Sequence, residues 1–404
     1  MTALGRVFIA VAVLGLGGGY LLGWIELIVA GYAALVAVCV SLLFLVSGRR
    51  AILTLVVAQR VTVAGSPATV IVRIENPGRL RQGPLAIELV VDSIVQHIRV
   101  PAQVGNSVRD FTRIIPAERR GVLVVGPARA VRRDPLGLFR RSKGESEQIE
   151  IVVHPRIASI PAQSTGLIRD LEGSATRDLT ASDVSFHALR EYVPGDDRRY
   201  IHWKSTAKTG THMVRQFEET RRSHIMIVLS LSAADFASPV EFELGVSVAG
   251  SLGVRAIRDA RTVSVITGPG IERPGLRPWR VRRPVLVTRA ASTTTLAIRT
   301  PAALLDDLSR ITLSFSPSQL QSVARGAAEM VQGVSVAFLI SGSSVTARAL
   351  RAAANSFPVG VEVIAIVCGP GAAPGLTRVA EMRVLRISRL EELSAALTRA
   401  VTVG

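Results

Sequence analysis

The sequence predicts an α/β chain in three parts: two transmembrane helices, then a small β-sandwich-like domain, then a doubly wound α/β domain. Three observations predict it. From Val7 to Gly48 the only charged residue is Glu26. From about residue 51 to 160, short β-branched runs alternate with turn signals and show no helical period. From residue 224 on, apolar strand-like runs alternate with amphipathic helical stretches. The 404 residues leave room for two or three domains, and an apolar content of 48% supplies their cores. The expected divisions are 1–50, 51–160, a linker and charged segment over 161–223, and 224–404.

A helix needs about 20 residues to cross the hydrocarbon core, and the N-terminal run is about twice that. Two helices fit, over residues 5–24 and 27–47, joined at Gly23-Trp24-Ile25-Glu26. Trp24 and Glu26 suit the interface. Gly15, Gly17, Gly18 and Gly19 offer small residues where the helices can approach. Arg6 precedes the first span and Arg49-Arg50 follows the second. The positive-inside rule then places both ends, and the bulk of the chain, on the cytoplasmic side of a cell membrane. A cleaved signal peptide fits poorly, because no Ala-x-Ala site follows the first run and a second apolar run comes directly after it.

In the second part, strands are expected over 68–74, 84–91, 96–100, 108–115 and 121–127, with Asn76-Pro77-Gly78 as a strong turn. This spacing suggests an antiparallel sandwich. Asp134-Pro135 followed by Gly137 reads as another turn, with Leu138 and Phe139 tucked into a core.

Residues 161–186, rich in Ser, Thr, Gly and Asp, read as a linker. His224–Leu229 has the continuous apolar character of a strand buried on both faces. Further strands are expected over 261–266, 284–287, 334–340, 361–367 and 383–387. Helices are expected over 240–257, 301–308, 318–331 and 345–356. A last helix starts after Ser388, with Glu391 three residues on as a capping partner. Ligands of such a sheet bind beyond the carboxyl ends of its strands. That rim would hold Ser230, Ser232, Gly268 and Ser341 to Ser344.

The densest chemistry lies between Arg190 and Lys204. Five basic residues (counting His202) and three acidic ones surround a Pro194-Gly195 turn, with Tyr192, Ile201 and Trp203 interleaved. Charge this dense must be paired or solvated, while the aromatic residues seek cover. The candidate docking residues are Arg190, Glu191, Tyr192, Pro194, Gly195, Asp196, Arg199, His202, Trp203 and Lys204. Four of the six histidines, His187, His202, His212 and His224, fall in or near this segment. None is paired at the spacing of a helical zinc site, so orienting or ion-pair roles are expected. There is no P-loop and no Gly-x-Ser-x-Gly elbow, and the two cysteines, Cys39 and Cys368, are too far apart for a zinc pattern. No cofactor is expected.

The segment resembles a known family, domain of unknown function 58 (DUF58). The resemblance rests on Arg119-Arg120-Gly121, Arg133-Asp134-Pro135-Leu136-Gly137-Leu138-Phe139 and Val153-His154-Pro155-Arg156. It continues through Leu189–Tyr192, Pro194-Gly195-Asp196, Ile201–Lys204, Ala207-Lys208 and Val214–Glu218. It implies a membrane-anchored protein with a β-rich segment before a von Willebrand factor A-like domain. It also implies association with MoxR-type AAA+ ATPases and other membrane-associated proteins. That fold often holds Mg²⁺ through Asp-x-Ser-x-Ser, and the matching positions here are Ser230, Ser232 and Ala234. With the carboxylate gone, a hard cation loses its charged ligand, so the site reads as degenerate and no metal is expected. Asp235 lies nearby but out of place for the motif.

The leading functional expectation is a membrane-anchored, cytoplasm-facing interaction module working with a MoxR-type ATPase, and not an enzyme. Trp203 would be buried against the von Willebrand A-like domain, with the Asp-Arg turn displayed. The alternative is a hydrolase or transferase built on the His/Asp/Arg-rich segment. A net charge of +17 invites a nucleic-acid reading. An aromatic content of 4% and the absence of a long Lys/Arg run speak against it. The bilayer is the remaining expected partner.

Overall fold

The computed structural model describes residues 2–46, 52–161, 184–219, 224–268, 293–314, 320–371, 373–380 and 382–402. The strand expected over 284–287 and much of the linker lie outside them. The chain divides into two compact units, Met1–His154 and Pro155–Gly404.

The first unit opens with two apolar helices, α1 (Ala3–Leu22) and α2 (Ile25–Val46), each long and apolar enough to cross a membrane. Gly23 ends α1 in the left-handed region at φ +69°, which glycine adopts without strain and which turns the chain straight into α2. Of the four glycines expected at the helix contact, Gly15 and Gly19 are there. A Cβ on Gly15 would lie 3.0 Å from the Leu27 carbonyl oxygen, and one on Gly19 would lie 2.9 Å from the Ile28 nitrogen. Gly17 and Gly18 face away. Gly31 of α2, not singled out in the sequence, completes the contact: its Cβ would meet the Leu16 nitrogen at 2.8 Å.

A sandwich follows. One sheet has the order β1 (Ile52–Val57), β3 (Ala68–Asn76), β6 (Ser107–Ile115). The other runs β2 (Val61–Val63), β9 (Ile149–His154), β7 (Gly121–Arg133), β4 (Leu85–Val91), β5 (Ile94–Val100), with β8 (Arg140–Glu145) paired to β7. Strict burial alternation along β3 and β4 sends Val70, Val72, Ile74, Ile87 and Leu89 into one shared core. β7 runs six residues beyond the expected strand. Gly126, at φ +105°, lets it continue past Leu55 and Glu147, where a Cβ would meet the Glu147 carbonyl oxygen at 2.9 Å.

The second unit holds a two-stranded hairpin, β10 (Val184–Glu191) and β11 (Met213–Glu219), and a larger sheet. Part of the expected linker is therefore strand. The order of the larger sheet is β14 (Thr294–Thr295), β13 (Val263–Thr267), β12 (His224–Leu229), β15 (Val334–Gly342), β16 (Glu362–Cys368), β18 (Met382–Ile387), β17 (Gly375–Val379). The five inner strands are mutually parallel. Between Trp203 and Thr209 the chain forms the short helix α3. Helices α4 (Pro239–Arg258), α5 (Pro301–Arg310) and α8 (Glu392–Thr402) cover one face of the sheet, through Val246, Leu304 and Leu393. Helices α6 (Leu320–Met330) and α7 (Ala347–Ala354) cover the other, through Val323 and Leu350. Ile225, Ile227 and Leu229 enter the first core, Met226 and Val228 the second. That two-sided burial explains the unbroken apolar run of β12. At α8 the capping acid is Glu392 rather than Glu391. Its carboxylate accepts from the Ser388 amide at 2.8 Å and from the Ser388 hydroxyl at 3.0 Å.

Candidate functional site

Two polar constellations stand out in the second unit: the charged hairpin and the rim of the parallel sheet. In the hairpin, Tyr192 ends the pairing by donating to the His212 carbonyl, 2.7 Å. Pro194 and Gly195 then turn the chain, with Gly195 at φ +115°, a conformation that favours glycine. Asp196 closes the turn. Its two oxygens accept from the Arg190 guanidinium at 2.6 and 2.7 Å, and one also accepts from the Val193 amide at 2.9 Å. Arg190, followed by that amide, holds the Asp196 carboxyl below the usual carboxylate range. Asp196 is therefore a brace of the turn, not a group on display. Asp197 accepts from the Arg199 amide at 3.0 Å and so caps the single 3₁₀ turn Arg198–Tyr200.

Below the turn, His202 donates its amide to the Met213 carbonyl, 2.7 Å, and its Nδ1 pairs with the Ser205 hydroxyl, 2.7 Å. Thr206 accepts from the Met213 amide at 3.0 Å. These bonds clamp α3 onto β11. Trp203 opens α3, and here the expectation of a buried anchor fails: the side chain is 65% exposed. Its ring neighbour is His212, edge-on at 6.2 Å between ring centroids, and Tyr192 also meets that imidazole edge-on at 6.4 Å. The bonds from His202 and Thr206 fix α3 on β11 and leave the indole exposed. Glu191, Pro194, Arg198, Arg199, Lys204 and Lys208 of the same segment are exposed as well. Arg198, Arg199 and Lys204 have no side-chain partner among the described residues.

Among the described residues, His202, His212 and His224 form no metal-ligating group. His202 and His212 belong to the clamp, His224 pairs with Ser264 at 2.9 Å, and the His187 side chain lies outside the described detail. No cluster of metal-ligating side chains occurs among the described residues.

At the sheet rim, Ser230 follows β12 and Ser341 lies near the end of β15, on neighbouring strands where the connections diverge to opposite sides. Asp235, set aside in the sequence as misplaced, swings back to accept from the Ser230 hydroxyl. Burial pushes its carboxyl up, against the lowering effect of Ser230 and the Leu320 amide. Ser232 accepts from the Ala234 amide at 3.3 Å. Glu241, 5% exposed, accepts from the Ala237 amide at 2.9 Å, the Ser343 amide at 3.0 Å and the Ser343 hydroxyl at 2.6 Å. Gly342 makes room for this, since a Cβ there would lie 2.6 Å from Glu241 Oε2.

A Mg²⁺ site of the von Willebrand type does not fit these residues. Ser230 stands where the leading carboxylate would be, and the oxygens of Asp235 and Glu241 accept from protein donors. Burial, followed by the charge of Glu241, pushes the Cys368 thiol far up, so it carries no thiolate chemistry. Glu241 was missed in the sequence although Ser238-x-x-Glu241 is a capping box, with Ser238 accepting from the Glu241 amide at 3.3 Å. Ser343 lies at the rim where the sequence places Ser341 to Ser344, but its pairing with Glu241 carried no sequence signal.

Residues 188–270 match the family described as "Protein of unknown function DUF58". The match supports the DUF58 family for this segment, which covers the hairpin, β12, α4 and β13. No curated protein matches the chain. Among solved structures, the CARDB domain of the PF1109 protein from Pyrococcus furiosus is similar at 11% identity and TM-score 0.21, covering 26% of this chain and 91% of that one. The bacterial hydrophobin BslA is similar at 13% identity and TM-score 0.17, covering 26% and 95%. A GH2 beta-galacturonidase from Eisenbergiella tayi is similar at 8% identity and TM-score 0.21, covering 80% and 50%.

Proposed function

We propose that this chain is a membrane-anchored, cytoplasm-facing protein-interaction module that docks an acidic partner on its signature hairpin. The exposed Trp203 carries the reading. A large indole left 65% exposed, on a helix clamped to β11 by the His202 amide and the Thr206 hydroxyl, in a segment that also carries exposed Arg198, Arg199 and Lys204, has the make-up of an interface hot spot. The cations would steer an acidic surface towards it. The partner class proposed is a MoxR-type AAA+ ATPase, as the family resemblance implies. In the same reading the parallel sheet is a von Willebrand A-like domain whose rim is closed by hydrogen bonds rather than by a metal.

Membrane anchoring is supported by α1 and α2, whose Leu14, Leu21, Val29 and Leu43 are exposed. A soluble chain rarely leaves so long an apolar surface uncovered. Arg6 and Arg49-Arg50 favour the cytoplasmic orientation. The hydrolase or transferase alternative has one observation in its favour, the His202–Ser205 pair. No carboxylate orients that imidazole among the described residues, and the serine amide donates back to the His202 carbonyl at 3.0 Å, as in a local turn.

The test uses the full chain in nanodiscs and a purified MoxR-type ATPase from the same source. Trp203→Ala is expected to weaken binding by about 2 kcal/mol, a typical hot-spot loss. The Arg198→Ala, Arg199→Ala pair should slow association and flatten its salt dependence. Unchanged binding by both variants overturns the docking reading.

A further inference from the structure

In the first unit, the Asp134–Phe139 turn between β7 and β8 is bolted to the first turn of α1. The Thr2 amide donates to the Leu138 carbonyl at 3.1 Å. The Thr2 hydroxyl points at the same carbonyl at 2.7 Å and at that of Gly137 at 2.8 Å, and it accepts from the Gly5 amide as the N-cap of α1. The approach is so close that a Cβ on Gly5 would sit 2.2 Å from the Leu138 oxygen. On the other helix, the Ser41 hydroxyl lies beside the Asp134 carboxylate without reaching hydrogen-bond geometry.

Depth follows from these contacts. Gly5 and Ser41 both lie inside the helices, about one turn from the ends at this side. Twenty residues of α1 span about 30 Å, the thickness of the hydrocarbon core. A turn level with Thr2 and Gly5 is thus level with the headgroup–acyl boundary.

The turn is also rigid. Asp134 is buried, and its carboxylate accepts from the Leu138 amide at 3.1 Å and the Phe139 amide at 2.6 Å. Leu138 and Phe139 are buried. The next apolar residue, Leu136 at the apex, is 54% exposed. Leu4, in the adjoining turn of α1, is exposed as well, and Arg6 and Arg141 flank the region in the open. An apolar apex between exposed arginines is the arrangement by which interfacial segments hold to lipid.

We infer that the Asp134–Phe139 turn is a third membrane contact, with the Leu136 side chain inserted at the headgroup–acyl boundary beside the helical hairpin. This rests on α1 and α2 spanning the bilayer. The β-sandwich then lies against the membrane surface instead of hanging from a single linker.

Spin labels on the full chain, in nanodiscs of phosphatidylcholine and phosphatidylglycerol, test it. Three single sites are compared: native Cys39, which faces outward from α2, and Leu136→Cys and Ile94→Cys, each in a Cys39→Ser background. Buried Cys368 stays unlabelled. Collision with oxygen reports lipid, and collision with a water-soluble nickel chelate reports solvent. The expected result is lipid-like behaviour at position 39, water-like behaviour at 94, and at 136 the loss of most of the nickel collision seen at 94. A label at 136 that matches 94 while 39 stays lipid-like overturns the contact alone. A water-like label at 39 overturns the spanning reading, and this inference with it.

Discussion

The signature hairpin and the sheet rim are built from the same polar residue types and use them in opposite ways. At the rim, Glu241 and Asp235 turn inward and are engaged by hydroxyls and amides of the same unit. On the hairpin, Asp196 is likewise consumed as a brace, but Arg198, Arg199 and Lys204 point out unpaired. The same holds for Asp134 and Glu392, each occupied by backbone amides. The net charge of +17 comes from 48 Lys and Arg against 31 Asp and Glu, and three of the cations, Arg198, Arg199 and Lys204, are exposed on the hairpin. A carboxylate at a turn or helix start accepts from the free amides there and stabilises local structure, whereas a Lys or Arg cation is a donor only and cannot do so.

Four experiments can break or sharpen that contrast. The largest effect is expected from Glu241→Ala, which strips the acceptor from three donors at a buried site. A loss on the order of 3 kcal/mol, read as a clear fall in melting temperature, is expected. An unchanged melting temperature would mean that the rim is open and available to a ligand. Gly342→Ala presses a methyl group onto Glu241, Asp235 and Phe236, and overpacking of this kind costs about 1–3 kcal/mol.

Next comes acidification of the hairpin. Asp196 has a depressed pKa in the folded chain, so its contribution is present above the ordinary aspartate range and is lost as pH falls through the depressed value. Amide resonances of residues 190–196 should lose dispersion in that window. Arg190→Ala should return the Asp196 titration towards the ordinary range. The smallest stability effect is expected from Trp203→Ala, within about 0.5 kcal/mol as for other surface changes, together with the loss of partner binding. A collapse as severe as that of Glu241→Ala would make Trp203 structural after all.

Periodicity made the scaffold legible. The alternation of β3 and β4, the unbroken run of β12 and the Ser238-Pro239 start of α4 each state their environment in a few adjacent residues. The sites were less so, because their partners meet across turns. Arg190 and Asp196 are six residues apart and join through the Gly195 conformation, which composition does not encode. Trp203 misled because hydrophobicity argues for burial, while its helix is fixed on β11 by bonds to Met213 from the His202 amide and the Thr206 hydroxyl, and the indole is left exposed. Ser343 is expected at the rim from its place after β15, whereas the return of Asp235 to Ser230 depends on the loop between them.

The latch between Thr2 and the Gly137–Leu138 carbonyls also has a mechanical reading. The sandwich is joined to the helical hairpin twice, once by the covalent chain after α2 and once by these bonds on α1. Two joints remove the swivel that a single tether allows. A pull on the turn between β7 and β8 is then shared by the covalent chain and by the Thr2 amide and hydroxyl bonds, and reaches the first turn of α1 directly.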